Sequence, residues 1–130
     1  MAKALTGQAL ISSVSNAAGS TQRSAVLDCT AADGGMLRWR MTNGVTGPTV
    51  QCLTRILVAR KQASAPASAA EGTGDDAWKV VYEQGGGSAN STSTRGSYRF
   101  GPEVAYIHIE MGGNTGQAVT VEATGDTYVA

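Results

Sequence analysis

His108 is the only histidine in this 130-residue sequence and the first residue to weigh for catalysis. Histidine acts as a general base, or activates a serine or cysteine nucleophile within hydrogen-bonding reach. The sequence has no G-x-S-x-G turn that would present a serine nucleophile. His108 also alternates onto the polar side of a predicted strand. We therefore expect a surface or interface histidine, and no catalytic residues.

Metal-binding and phosphate-binding patterns are also missing. A zinc site needs three or four converging ligands, and this chain offers one histidine and two separated cysteines without a C-x-x-C spacing. Asp75-Asp76 lacks the ligand spacing of a calcium loop. Gly85-Gly86-Gly87 lacks the Lys-Ser/Thr that completes a phosphate loop. The sequence thus predicts a protein that is not an enzyme and holds no metal and no cofactor.

Cys29 and Cys52 lie inside β-like runs, so we interpret both as small buried apolar side chains. A disulfide between them is the alternative. Two cysteines are too few to form the framework of a disulfide-rich secreted domain.

The composition indicates one globular β domain. Hydrophobic residues make up 42% of the chain, and charged residues only 15%, against about 25% in typical soluble domains. Ten basic and ten acidic side chains give a net charge of zero, which argues against a nucleic-acid partner. No run of about 18 apolar residues predicts a membrane span, and no apolar segment near Met1 predicts a signal peptide. We expect synthesis in a cytoplasm.

The elements that would position any site are short strands separated by turn residues. The clearest is residues 36–42, where Leu37, Trp39 and Met41 share one face and Arg38 and Arg40 the other, before an Asn-Gly turn. Short β-like runs recur about eight times, at 8–14, 25–30, 36–42, 49–60, 77–83, 96–100, 104–111 and 118–123. For residues 8–14 a short helix is the alternative. The pattern predicts a single antiparallel β-sandwich of the jelly-roll type.

The predicted organisation is an extended N-terminal arm over residues 1–20 and one sandwich domain over residues 21–130. Two segments rich in small residues, 62–75 and 85–94, are expected to be long exposed loops. Because the strand pattern resumes after each of them, neither is interpreted as a domain linker.

A candidate interaction surface follows from the outward positions of the predicted strands. In residues 104–111, alternation places Tyr106 and His108 outward, and Arg38, Arg40 and Arg55 lie on polar strand faces. These five residues are the predicted surface. The alternative is that the three arginines are solvated and form ion pairs with Glu110 or Glu122, so that they provide no interaction surface. If Tyr106 and Trp78 are exposed, their rings are able to stack on sugars. The alternative is that Trp39 and Trp78 are core residues.

The chain resembles small β-sandwich virion proteins of tailed bacteriophages, of the head decoration or cement type. The resemblance is carried by residues 35–49, by Ala105-Tyr106-Ile107-His108-Ile109 and by residues 117–123. It implies a structural protein on the capsid exterior, made in the cytoplasm of the bacterial host. It also implies that the major capsid protein is the partner and that the protein forms a homo-dimer or homo-trimer.

Two other functions remain as alternatives. One is a carbohydrate-binding or receptor-binding module of a head fibre or tail tip, and the other is a collar or tail structural protein. The first predicts exposed aromatic residues in the loops, and residues 62–75 and 85–94 contain none.

Overall fold

The computed structural model of this chain describes residues 4–130, and these form nine β-strands and no helix. None of the described residues belongs to a helix able to cross a membrane. In chain order the strands are β1 (Ala4–Asn16), β2 (Thr21–Arg23), β3 (Leu27–Asp28), β4 (Gly34–Asn43), β5 (Leu53–Ala59), β6 (Lys79–Gly85), β7 (Ser93–Phe100), β8 (Tyr106–Gly112) and β9 (Val119–Val129).

The strands form two packed antiparallel sheets. The four-stranded sheet has the order β1-β9-β4-β7, and the five-stranded sheet has the order β2-β8-β5-β6, with β3 also paired to β8. Because β2 and β3 follow one another along the same edge of β8, they act as one interrupted strand. Of the eight resulting strands, β5 and β6 follow one another within one sheet, and every other step along the chain crosses to the opposite sheet, as in a jelly roll. This confirms the predicted all-β sandwich of about eight antiparallel strands.

The core lies between the two sheets, and the alternation in β4 fixes which side chains enter it. Leu37, Trp39 and Met41 are buried against Ile107 and Ile109 of β8. Each such fully buried side chain contributes roughly 1.5–3 kcal/mol of hydrophobic stabilisation. The alternate β4 positions point to solvent, as the sequence predicts.

The N-terminal segment, expected as an extended arm, supplies an edge strand of the sandwich. β1 pairs with β9 from Ala4↔Val129 to Asn16↔Val119, over a longer stretch than the predicted strand at 8–14. Its end is fixed by the buried side chain of Asn16, which donates to Asn114 Oδ1 at 2.6 Å and to the Ser20 carbonyl oxygen at 2.8 Å. Residues 1–3 of the expected arm lie outside the described residues.

Residues 60–78, here called the cover segment, pack over the outer face of the five-stranded sheet. Trp78 at its end is fully buried in a second apolar cluster with Leu57, Ala59 and Tyr106. Tyr106 Oη donates to the Gln62 carbonyl oxygen at 3.1 Å. Residues 62–75 thus form a loop, and most of them are exposed as predicted. The loop also forms the second wall of an apolar layer, which the sequence did not predict.

A β-bulge in β6 changes the face on which Tyr82 lies. The register passes from Ile56↔Tyr82 to Leu57↔Val80, so Val81 is the extra residue. Alternation from Trp78 places Tyr82 on the same side as Val80, but the bulge turns it to the inner face. There the ring of Tyr82 packs 5.8 Å from that of Trp39.

Candidate functional site

His108 and Tyr106, two of the predicted surface residues, are buried beneath the cover segment. Every residue of β8 is buried, since one face of the strand packs into the main core and the other against the cover segment. His108 Nε2 donates to the Ala69 carbonyl oxygen at 3.0 Å, and its ring meets Trp78 edge-on at 4.5 Å. The prediction that Tyr106 and His108 point away from the main core is confirmed, and the prediction that their side chains are exposed is wrong.

The buried environment of His108 makes a testable contribution to the pH dependence of folding. Burial lowers the pKa of His108 below its usual 6.5, against the opposing effects of the Ala69 carbonyl and the Glu110 carboxylate. As the pH falls through 6.5, the unfolded chain takes up a proton that the folded chain excludes, so stability is lost on acidification. We expect urea unfolding at pH 8 and pH 5 to show a smaller acid loss for His108→Gln than for the unmodified protein. Equal losses in the two proteins would contradict this.

The two cysteines are free and buried between the sheets. Burial raises the pKa of each thiol to about 11, because the thiolate loses its hydration there. Both side chains belong to the main core or its boundary, which confirms their interpretation as small apolar residues. Neither thiol is placed to act as a nucleophile or a metal ligand at neutral pH.

Arg55 lies on the outer face of the five-stranded sheet, whereas Arg38 and Arg40 belong to the other sheet. Its side chain pairs with Glu83 at 2.8 Å and with Glu110 at 3.8 Å, and Glu110 also pairs with Arg23 at 3.0 Å. Two arginines and two carboxylates thus neutralise one another at this site. Arg55 therefore does not extend a basic stripe from Arg38 and Arg40.

Arg38 and Arg40 lie on the outer face of the four-stranded sheet, here called the open face. The neighbouring strand β7 places Arg95 directly opposite Arg40 and Arg99 directly opposite Met36, so all four arginines share this face. Arg95 and Arg99 were missed from the sequence. Tyr98 and Phe100 lie two residues apart on this strand, and alternation from them places Arg95 and Arg99 on the opposite, outward side, which was the available signal.

Ion pairs on the open face leave part of its positive charge unmatched. Arg38 pairs with Asp126 at 3.6 Å and Arg40 with Glu122 at 2.5 Å, both on β9. Within the described chain, neither Arg95 nor Arg99 forms an ion pair. Four arginines against two carboxylates leave an excess of two positive charges on the outward strand positions.

The facing arginines Arg40 and Arg95 carry a cost for the isolated domain. Like charges directly opposite on neighbouring antiparallel strands destabilise a sheet. The pair between Arg40 and Glu122 relieves part of this repulsion, and exposed pairs contribute little by themselves. The charge on this face therefore gives the isolated fold no evident benefit.

An open groove of about 460 Å³ lies at one end of the open face. Apolar side chains of Leu5 and Met36 and the ring of Tyr128 form part of its wall, and Arg38, Arg99 and Asp126 supply charged groups. The groove thus combines apolar surface with charge of both signs. In contrast, no group of three or more potential metal ligands comes together among residues 4–130.

Comparisons with known proteins identify the fold and no family. No protein-family model matches the sequence, and no curated protein matches it.

Solved structures do match, at low sequence identity. The SPBc2 prophage-derived protein YomS is 11% identical with a TM-score of 0.49, over 99% of this chain and 96% of that one. A family 16 carbohydrate-binding module is 8% identical with a TM-score of 0.49, over 91% of this chain and 76% of that one. VP2 of the infectious bursal disease virus subviral particle is 8% identical with a TM-score of 0.51, over 98% of this chain and 33% of VP2. The chain spans about a third of VP2, and the similarity shows a shared β-sandwich fold.

Proposed function

We propose that this chain is a non-enzymatic structural protein of a tailed-phage particle. In this proposal it binds the outer surface of the head through its open face and stabilises the lattice of the major capsid protein. The observation that carries the proposal is the unmatched positive charge of the open face, held by Arg95 and Arg99 beside an apolar groove. The resemblance of the sequence to phage decoration proteins supplies the particle as the setting.

The two sides of the sandwich differ in a way that supports docking through the open face. The outer face of the five-stranded sheet is largely occupied by the cover segment and by the ion pairs of Arg55. Among residues 4–130 no segment covers the four-stranded sheet in this way, and β1, β4 and β9 are the longest strands described. A long, uncovered sheet provides a rigid surface that loses little conformational entropy on binding.

The chemistry of the open face favours an acidic protein surface as its partner. Glu122 and Asp126 lie among the arginines and would repel the phosphates of nucleic acid. A protein surface with acidic side chains opposite Arg95 and Arg99, and with an apolar residue for the groove, complements all of these features. The non-enzymatic part of the proposal is supported by the burial of His108 and of both thiols.

The proposal is tested by co-sedimentation of the purified protein with phage heads that lack decoration. We expect saturable binding at a fixed ratio to the capsid protein, and weaker binding as salt shortens the range of electrostatic attraction. Heads that already carry their decoration protein are the control and should bind none. Absence of binding to undecorated heads would overturn the head assignment, and retention on purified tails would then favour a tail or collar protein.

A further inference from the structure

The free edge of β1 is the least protected strand edge of the molecule. β1 ends the four-stranded sheet, so one of its backbone edges pairs with β9 and the other has no strand partner within residues 4–130. Such an edge carries a row of backbone donors and acceptors that another strand can pair with.

Other strands at sheet edges carry features that discourage pairing. β7 carries Arg95 and Arg99, β6 carries Lys79 and Glu83 as well as a bulge, and β2 is three residues long. Charges, bulges and short length are the usual protections of an edge strand.

β1 has these protections only in its second half. Register shifts fall between Ala9 and Ile11 and between Ile11 and Val14, whereas residues 4–9 pair with β9 without interruption. Residues 4–9 also contain no charged residue and no proline, and the side chain of Leu5 is 67% exposed. This segment is thus free of bulges, neutral and partly apolar, which are the properties of a pairing edge.

We propose that residues 4–9 of β1 pair antiparallel with the same segment of a second copy, so that the two four-stranded sheets become one sheet of eight strands. Self-pairing about a two-fold axis uses one surface twice and needs no other partner. Because residues 4–9 carry no charge, self-pairing places no like charges opposite each other. Because the net charge of the chain is zero, electrostatic repulsion between whole copies is also weak.

The geometry of this dimer links it to the open face. Antiparallel pairing of two edge strands places the two-fold axis perpendicular to the sheet, so the open faces of both copies point in the same direction. Two open faces on one side allow both copies to contact one lattice, which raises the effective affinity without any new contact. Dimer formation itself does not depend on capsid binding and is measured without heads.

The test is the mass of the isolated protein in solution, measured by light scattering during size-exclusion chromatography. We expect twice the chain mass of 13.3 kDa for the unmodified protein. The double variant Leu5→Lys, Ala9→Lys places lysines on the exposed edge and is expected to be monomeric. The single variant Val45→Lys adds a lysine at an 85% exposed position on the loop after β4 and is expected to remain dimeric.

Hydrogen exchange of the unmodified protein provides a second readout that does not depend on the folding of a variant. On dilution below the dissociation constant, amides within residues 4–9 should lose protection while those of β4 keep theirs. A monomer at all concentrations would overturn the proposal. So would a dimer that survives the two lysines in a folded variant, or one whose dissociation leaves exchange of residues 4–9 unchanged.

Discussion

Replacing Trp78 with alanine is expected to lower the free energy of unfolding by about 3–5 kcal/mol, as for other large aromatic residues removed from a core. Trp78 is fully buried at the end of the cover segment, and its ring lies edge-on to His108 of β8. Its removal leaves a cavity in the smaller apolar cluster, whose remaining members Leu57, Ala59, Ala105 and Tyr106 are too few to close over it. A domain of this size has only about 5–15 kcal/mol of stability in total.

Urea unfolding followed by circular dichroism measures this loss, with Val81→Ala as the control. Val81 follows three residues later, on β6, with an exposed side chain, and its substitution is expected to cost less than about 0.5 kcal/mol. Limited proteolysis should also show faster cleavage within residues 60–78 of Trp78→Ala. Equal stability of the two variants would contradict the packing of the cover segment on the five-stranded sheet.

Reversing the charge of Arg95 and Arg99 together is expected to weaken binding to undecorated heads by about 100-fold or more, because like charges then face each other across the interface. Neither arginine forms an ion pair within residues 4–130, so Arg95→Glu with Arg99→Glu breaks no pair that the folded chain uses. Arg95→Glu also removes the repulsion with Arg40. We therefore expect thermal stability to be retained while binding is lost.

The matched control is Arg60→Glu with Lys61→Glu, which changes the net charge by the same amount at the start of the cover segment. Both residues are exposed and lie away from the open face. This variant is expected to bind heads with the affinity of the unmodified protein. An equal loss of binding in both double variants would show that net charge alone governs the interaction and would remove the open face from the account.

Much of the fold is readable from period-2 patterns, because alternation directly reports which face of a strand meets the core. Leu37, Trp39 and Met41 fall inside and Arg38 and Arg40 outside, as predicted. The covering of the outer face of β8 was not predictable in this way. The cover segment is rich in small residues, chiefly Ala, and has no apolar periodicity, so its packing over His108 depends on tertiary contacts that no local pattern encodes.

The candidate site was predictable only in part for a topological reason. In a jelly roll, strands that follow one another along the chain often belong to different sheets, as β4 and β5 do here. Arg55 on β5 therefore joins the five-stranded sheet, although the sequence places it close to Arg38 and Arg40. The true neighbours of those arginines are on β7 and β9, more than 50 residues away along the chain.

Cryo-electron microscopy of undecorated heads reconstituted with the purified protein tests the central proposal most directly. We expect bound sandwiches whose four-stranded sheet faces the shell, with Arg95 and Arg99 opposite acidic residues of the capsid protein and the cover segment directed away from it. Bound sandwiches with the cover segment or the five-stranded sheet against the shell would contradict the account, as would heads that carry no bound protein.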